Sequence, residues 1–324
     1  MEGIITAWGK ILRGYRPSLS IEITRECPLR CPGCYAYGDE HLGGDVTLRQ
    51  VTDYKGQELI DRVLAIVDDE KPIHVSIVGG EPLVRFRELN DILPALAARG
   101  IYTQVVTSAV RPIPAEWASI PRLQMVVSID GLQPEHDARR TPATYDRIIK
   151  HIVGHQITVH CTITRQQVQR EGYLEEFARI WSANPHVRQL WFSLYTPQIG
   201  ETSAEILSPQ DRESVVAALM LLRVKYRKIR MPEGLLKKYA NPPQSPDECI
   251  FAQTTSCLSA DFEHRITPCQ FGGNPDCEQC GCIASAGLAA VGAHRLPGGL
   301  RVGAIFETSL KVGRLMRGRR EAVA

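Results

Sequence analysis

Three cysteines stand close together near the start of the 324-residue chain. Cys27, Cys31 and Cys34 follow the spacing C-x3-C-x2-C. Thiolates are the soft ligands that iron–sulfur clusters favour, and three of them on one loop can hold three irons of a cubane while the fourth iron takes an outside ligand. A structural zinc site is the alternative, but it needs four protein ligands, and this triplet supplies three. The spacing therefore favours a cluster.

Most of the other cysteines form a second group near the C-terminus. They are Cys249, Cys257, Cys269, Cys277, Cys280 and Cys282. Clustered cysteines in a chain with no secretory signal pattern indicate metal or cluster binding and not disulfides. The remaining one, Cys161, lies inside a predicted strand and is interpreted as a small core residue.

Composition narrows the class of protein. Hydrophobic residues make up 44% and charged residues 23% of the chain, as in an ordinary globular protein, and the net charge of +2 gives no indication of nucleic-acid binding. No apolar run is long enough to predict a transmembrane helix. No P-loop string occurs, so nucleoside triphosphate chemistry is not indicated. A cytoplasmic location is expected.

Short β-branched runs alternate with helical patterns. Six strands are predicted, at Leu19–Thr24, His74–Gly79, Thr103–Thr107, Met125–Asp130, Thr158–Thr164 and Gln189–Tyr195. Helices are predicted at Thr52–Asp69, Phe86–Arg99, Thr144–His155, Gly172–Ala183 and Ser208–Lys228, the last with Ser208 as N-cap and Pro209 in the first turn. This alternation predicts an α/β fold with a parallel sheet, a partial (β/α)6 TIM-like barrel whose function lies at the C-terminal ends of the strands.

The composition changes after Lys228, and a Pro-rich break follows at 241–246. We therefore expect an N-terminal amphipathic segment over 1–16, a barrel over 17–235 and a small Cys-rich C-terminal domain over 236–324. Little regular structure is expected in that last part until its end, because it would have difficulty burying a core without metal.

The triplet and Gly79-Gly80-Glu81-Pro82, directly after the second predicted strand, together resemble the radical S-adenosylmethionine (SAM) superfamily over about residues 17 to 235. The resemblance implies that SAM chelates the open iron of a 4Fe–4S cluster. It also implies that the Gly-Gly-Glu-Pro segment contacts the SAM amino group through its backbone and Glu81. Glycine fits this role because it lets a backbone approach a ligand closely.

Further SAM contacts follow from the same resemblance. Ser128 and Asp130 end the fourth predicted strand, and Arg140, or its neighbour Arg139, can pair with the SAM carboxylate. Ser108, after the third strand, is another candidate for SAM binding.

One position departs from the family pattern. Many members carry an aromatic residue just before the third cysteine, near the adenine. Gly33 stands there in this chain, and the aromatic residue is Tyr35, one place after that cysteine. Tyr35 is therefore the candidate for the adenine contact.

The C-terminal cysteines resemble a SPASM or twitch domain, which implies at most one auxiliary 4Fe–4S cluster. Its expected ligands are Cys257, Cys269, Cys277 and either Cys280 or Cys282. A zinc knuckle is the alternative, since paired cysteines suit zinc as well.

The resemblance implies reductive cleavage of SAM to a 5′-deoxyadenosyl radical, which abstracts hydrogen from a small-molecule, peptide or lipid substrate. An external electron donor such as flavodoxin or ferredoxin is expected as a partner. Two alternatives stay open. One is an adenosyltransferase of the hopanoid-type branch, to which Gly33 and the Thr144–Arg147 segment are similar. The other is a non-catalytic zinc or iron–sulfur scaffold.

Both chain ends have basic and apolar residues at helical spacing. The first carries Ile4, Ile5, Trp8, Ile11, Leu12 and Tyr15, and the last carries Lys311, Arg314, Arg317, Arg319 and Arg320. We expect the first helix to cap the barrel and the tail to dock on the core. Peripheral contact with an anionic membrane is the alternative.

Overall fold

The computed structural model describes residues 2–44, 46–142 and 144–321, without the side chains of 2–4 and 317–321. The expectations that rest on the side chains of Ile4, Arg317, Arg319 and Arg320 lie outside this description. Among the described residues, no helix is long and apolar enough to cross a membrane.

All six predicted strands form, with ends within two residues of the predicted ones. They are β1 (Ser18–Glu22), β2 (His74–Val78), β3 (Tyr102–Thr107), β4 (Leu123–Ser128), β5 (Ile157–Ile163) and β6 (Val187–Leu194). A seventh strand, β7 (Thr255–Leu258), pairs with β1 in parallel, so that Ser20 lies beside Cys257.

The strands form one parallel sheet in the order β6-β5-β4-β3-β2-β1-β7. Its edges are β6 and β7, which confirms the predicted α/β fold of a partial barrel. β7 lies beyond the Pro-rich break, so the sheet continues past the predicted boundary. The division of the chain at 236 stays a prediction.

The helices connect the strands and cover the sheet. They are α1 (Glu2–Leu12), α2 (Gly56–Glu70), α3 (Phe86–Ala98), α4 (Gln133–Arg139), α5 (Tyr145–His151), α6 (Arg165–Val168), α7 (Tyr173–Ala183), α8 (Pro209–Lys225), α9 (Glu233–Ala240), α10 (Ile250–Thr254), α11 (Ile283–Ala293) and α12 (Val302–Glu321). The predicted cap of α8 forms, since the Ser208 side chain accepts a hydrogen bond from the Asp211 amide and Pro209 follows it.

The core lies between the sheet and the helices that cover it. Inward side chains such as Ile21 and Ile77 are fully buried, as are Leu89 and Phe177 on the helices. Strands covered in this way read as apolar runs, which is why they could be predicted.

The expectation of little regular structure after the Pro-rich break was wrong. α11 consists mainly of alanine and glycine and has no strong apolar stripe, so its sequence lacks the periodicity that marks a helix. Its small residues permit close packing: a Cβ on Gly292 would lie 3.6 Å from the Gly303 Cα of α12.

The chain ends pack against each other. Ile11 of α1 forms a small buried cluster with Val302, Phe306 and Leu310 of α12. The ring of Trp8 meets Phe306 edge-on, with ring centroids 6.1 Å apart.

Candidate active site and second cysteine cavity

The loop that follows β1 carries the cysteine triplet, and charged hydrogen bonds anchor it. Thr24 donates to Asp53 across the loop at 2.8 Å. The Arg85 guanidinium donates to Glu26 at 3.0 Å and also pairs with Asp53. Because the side chains of Arg85 and Asp53 are both buried, the bond between them holds the loop more firmly than an exposed ion pair would.

Cys27, Cys31 and Cys34 are half-buried on this loop, hereafter the cluster loop. The Cys34 amide lies 3.4 Å from the Cys31 carbonyl oxygen. Burial raises the pKa of the Cys27 thiol to about 12, and the neighbouring Glu81, Cys31 and Cys34 add to the rise. Three soft donors thus share one electrostatic environment, which fits the ligand set of an iron–sulfur cluster.

Within the described residues, no group of three or more His, Cys, Asp or Glu side chains is arranged to hold a single metal ion. A cubane makes a different demand, because its three thiolates bind three separate irons.

The Gly79–Pro82 turn lies directly against the cluster loop. Gly79 and Gly80 both have positive φ angles, 75° and 55°. A Cβ on Gly80 would lie 2.4 Å from the Glu26 carbonyl oxygen, and the Glu81 amide donates to that same oxygen at 2.8 Å. The turn needs glycine because the two backbones touch.

Glu81 is buried, and its carboxylate ties the turn to the end of β3. It accepts hydrogen bonds from the Leu83 amide at 3.0 Å, from the Ser108 amide at 2.7 Å and from the Thr107 hydroxyl. Burial raises the pKa of Glu81, and these hydrogen bonds oppose the rise. Contact between Glu81 and a SAM amino group stays a prediction.

Ser108, Asp130 and Arg140 come together at the ends of β3 and β4. Arg140 donates to Asp130 at 2.8 Å and to the Ser108 hydroxyl at 2.9 Å, while Arg139 donates to Asp130 at 2.5 Å. Burial raises the pKa of Asp130, but Arg140 and Arg139 outweigh it and hold that pKa far below its usual range. Arg140 also acts against the rise that burial causes in the pKa of Cys31, which places its positive charge beside the cluster loop.

Ser128 is buried on β4 in register with His160 of β5. Its predicted contact with SAM stays a prediction.

Tyr35 faces the C-terminal segment. Its hydroxyl accepts a hydrogen bond from the Gln270 side chain at 3.0 Å, and its ring meets Phe271 edge-on at 5.4 Å and His41 at 5.7 Å. His41 is buried and bonds Glu22 of β1 at 2.8 Å. Tyr35 therefore joins the cluster loop to the C-terminal cysteines, and its role as an adenine contact stays a prediction.

Sequence reasoning missed two residues beside Gly33. A Cβ on Gly33 would lie 3.5 Å from a Glu205 carboxylate oxygen and 3.6 Å from the Tyr195 hydroxyl. Glu205 accepts two hydrogen bonds from Arg139, at 2.6 and 3.0 Å. Tyr195 directly follows β6, and this position at the C-terminal end of a strand could have indicated a site residue. Glu205 lies on the loop beyond, where no sequence pattern indicates a role.

The second cysteine group surrounds a small cavity of about 20 Å³, hereafter the cysteine cavity. Its walls include five thiols: Cys249, Cys269, Cys277, Cys280 and Cys282. Burial raises the pKa of Cys269 to about 12 and that of Cys277 to about 11. Five soft donors exceed the four that a closed site needs, so the residues fit a cluster or zinc.

Cys249 is the unexpected member of this wall. It precedes α10 and lies 3.3 Å from the Ser285 hydroxyl. Cys257, which the spacing had favoured, lies buried on β7, near enough to Cys269 to contribute to its raised pKa. Spacing along the sequence could not show that Cys249, directly before the short helix α10, lies in the wall of the cysteine cavity.

Comparison with known proteins decides the family. The model of the radical SAM superfamily matches residues 21–164. The PqqA peptide cyclase of Rhizobium meliloti is 31% identical over 259 residues, which are 76% of this chain and 66% of that protein. Residues 21–164 of this chain are a radical SAM domain. Enzymes of this superfamily use a 4Fe–4S cluster and SAM, the cofactors expected from the triplet and the Gly79–Pro82 turn.

Two solved structures share the fold. Streptococcus suis SuiB bound to the precursor peptide SuiA has a TM-score of 0.59 at 18% identity, with 80% of this chain and 60% of that one covered. Native anSMEcpe with bound AdoMet has a TM-score of 0.55 at 18% identity, with 78% and 75% covered. The chain thus spans 66% of the length of the PqqA peptide cyclase and 60% of SuiB.

Proposed function

We propose that this radical SAM protein cleaves SAM reductively and modifies a peptide. The observation that carries the first part is the contact between the cluster loop and the Gly79–Pro82 turn at the C-terminal ends of parallel strands. When bound, the cluster and SAM supply an electron and a 5′-deoxyadenosyl radical that abstracts hydrogen from the substrate.

The residues of the chain have defined tasks in this proposal. Cys27, Cys31 and Cys34 hold three irons, and the glycine backbone of the turn gives SAM room to approach. Arg140 offers its guanidinium to the SAM carboxylate, and Asp130 keeps that guanidinium in place from behind.

We assign the cysteine cavity to an auxiliary cluster held by Cys269, Cys277, either Cys280 or Cys282, and Cys249 in the place that sequence spacing gave to Cys257. The support is the shared cavity wall. Burial raises the pKa of Cys269, Cys277, Cys280 and Cys282, so these thiols are neutral at neutral pH and loading this site would release protons.

The share of this chain that each relative matches favours a peptide as the substrate. The PqqA peptide cyclase matches across 76% of this chain. A probable GTP 3′,8-cyclase and a 7-carboxy-7-deazaguanine synthase match only 29% and 32% of it. The fold is also that of SuiB, which in its own structure is bound to a precursor peptide.

The test is anaerobic. We would reconstitute the protein with iron and sulfide, add SAM and dithionite, and measure 5′-deoxyadenosine by chromatography. The variant with Cys27, Cys31 and Cys34 changed to Ala should form none. Cys161→Ala is the matched control, because Cys161 is buried on β5 and belongs to neither cysteine group, and it should retain activity.

Different outcomes separate the alternatives. Equal 5′-deoxyadenosine from wild type and the triple variant would overturn the proposal. Bound zinc without iron or sulfide would favour the scaffold, and an adenosylated product would favour the adenosyltransferase. For the substrate class, peptide and small-molecule panels would be screened by mass spectrometry for a SAM-dependent mass change; a change confined to small molecules would reject the peptide.

A further inference from the structure

The packed chain ends present a face that the proposed function leaves unused. We define the terminal face by the exposed residues of α1, α12 and the turn after α1: Leu12, Arg13, Lys311, Val312, Arg314, Leu315 and Met316. Four of these are large apolar side chains; Leu315 is 73% exposed and Leu12 is 44% exposed. Contiguous exposed apolar surface marks interaction sites more often than ordinary surface.

The terminal face is also basic. Burial lowers the pKa of Lys10, and Lys71 and Arg13 lower it further, so several positive charges lie close together. Lys10 and Lys71 both stand over the ring of Tyr15, at 6.0 and 5.7 Å from its centroid. The exposed Glu307 lies at least one turn of α12 before Lys311.

A cavity of about 310 Å³ opens beneath the terminal face. Ile11, Leu310 and Gly313 line it from the chain ends, and Arg16, Arg314 and Asp247 give it polar walls. This volume lies within the range of ligand or side-chain pockets.

This larger cavity adjoins the cysteine cavity. Pro246, Ala252 and Pro268 belong to the walls of both. These shared side chains therefore separate the larger cavity from the one that the C-terminal thiols line.

We propose that the terminal face docks an acidic electron-carrier protein. The proposal rests on the proposed function, because SAM cleavage needs an electron from outside the protein. An acidic carrier complements the basic face, and the exposed apolar side chains supply a desolvated centre for the contact. In the exchange the carrier loses one electron and the enzyme gains one, with no bond or proton changing place.

A protein fits this face better than a bilayer does. Over its whole length α12 is polar on average and separates its apolar from its charged residues only weakly. A helix that lies in a membrane separates its apolar face from its charged face.

The test reverses the charge of three exposed residues and measures binding. A fluorescently labelled acidic flavodoxin would be titrated with reconstituted holoenzyme at low salt. Arg13→Glu, Lys311→Glu and Arg314→Glu together should weaken binding at least about 10-fold and flatten its salt dependence. The control is Arg147→Glu, Arg179→Glu and Arg188→Glu, the same charge change on exposed residues of α5, α7 and β6; it should leave binding within about 2-fold.

Activity gives a second reading. In the terminal-face variant, 5′-deoxyadenosine formation driven by reduced flavodoxin should fall, whereas formation driven by dithionite should match wild type. A melting temperature equal to wild type would exclude misfolding. Failure of dithionite-driven cleavage in wild type would instead reject the proposed function, while the binding measurement would still stand.

Three results would overturn the docking proposal. The first is unchanged binding in the terminal-face variant, and the second is an equal loss of binding in the control variant. The third is that wild type binds phosphatidylglycerol–phosphatidylcholine vesicles and the terminal-face variant does not, while neither protein binds flavodoxin. That result would assign the face to membranes.

Discussion

The cluster loop and the cysteine cavity both consist of partly buried thiols, but they are built differently. The cluster loop takes its three cysteines from one short stretch, and charged groups around it, among them Arg85, Asp53 and Arg140, hold it in place. The cysteine cavity collects thiols from residues 249 to 282, and its other walls are mostly proline and aromatic side chains. The first site is therefore sensitive to electrostatics, and the second to packing.

The largest effect is expected from Asp130→Asn. It leaves the half-buried guanidinium groups of Arg139 and Arg140 without the buried carboxylate that they share, which costs about 3–5 kcal/mol of the free energy of unfolding. Chemical denaturation would measure the loss. SAM binding should weaken as well, while the iron content of the cysteine cavity should stay unchanged. An equal loss at both sites would contradict the proposed difference between them.

A pH profile tests the same aspartate. Because the pKa of Asp130 is lower in the folded protein than in the unfolded chain, its stabilisation is complete above about pH 4 and declines as pH falls below that value. The Asn variant should lose this part of the acid dependence. Identical acid profiles for wild type and variant would contradict the assignment.

Gly80→Ala should be the next most severe change. The new Cβ would press on the Glu26 carbonyl oxygen and displace the cluster loop by a fraction of an ångström to 1 Å, which we expect to lower 5′-deoxyadenosine formation about 100-fold. Gly154→Ala is the matched control, since Gly154 also has positive φ but no atom within 4 Å of its Cβ position. If both variants lose activity equally, the need for glycine at position 80 comes from backbone strain and not from contact with the cluster loop.

His136 provides a smaller effect near the first site. It is buried and neutral: the Asp130 amide donates to its Nδ1 at 3.1 Å, and its Nε2 lies 3.1 Å from the Thr144 hydroxyl. Burial, with Arg140 next, lowers its pKa to about 4. Since the folded pKa lies below the unfolded one, stability should be full above about pH 6.5 and fall by roughly 3 kcal/mol towards pH 4.

The measurement is denaturant unfolding between pH 7 and pH 4, compared with His136→Gln. The variant should be less stable at neutral pH but should show a flatter profile. A profile as steep as that of wild type would assign the acid sensitivity to other groups.

The smallest effect is expected from single cysteine substitutions, which would identify the ligands in the cysteine cavity. Cys249→Ser and Cys257→Ser would each be reconstituted and analysed for iron, sulfide and electron paramagnetic resonance of the reduced clusters. If the cavity wall defines the ligands, Cys249→Ser should lose the auxiliary signal and about half the iron, whereas Cys257→Ser should keep both. The reverse result would restore the ligand set expected from sequence spacing.

The sequence alone determined the features that are local in the chain. The triplet, the Gly79–Pro82 turn and the six apolar strands each depend on neighbouring residues, so spacing and periodicity were enough to predict them. The cap of α8 at Ser208 and the grouping of site residues at strand ends belong to the same class.

Tertiary structure decided which residues that are distant in sequence lie next to each other. It brought Cys249 to the cavity and Glu205 beside Gly33, placed β7 against β1, and turned Tyr35 towards Phe271. α11 escaped prediction because its small residues gain stability from close packing with neighbours and show no periodic pattern of their own. Such contacts join residues far apart in sequence, and their free energy comes from burial and shape, which no short stretch of sequence records.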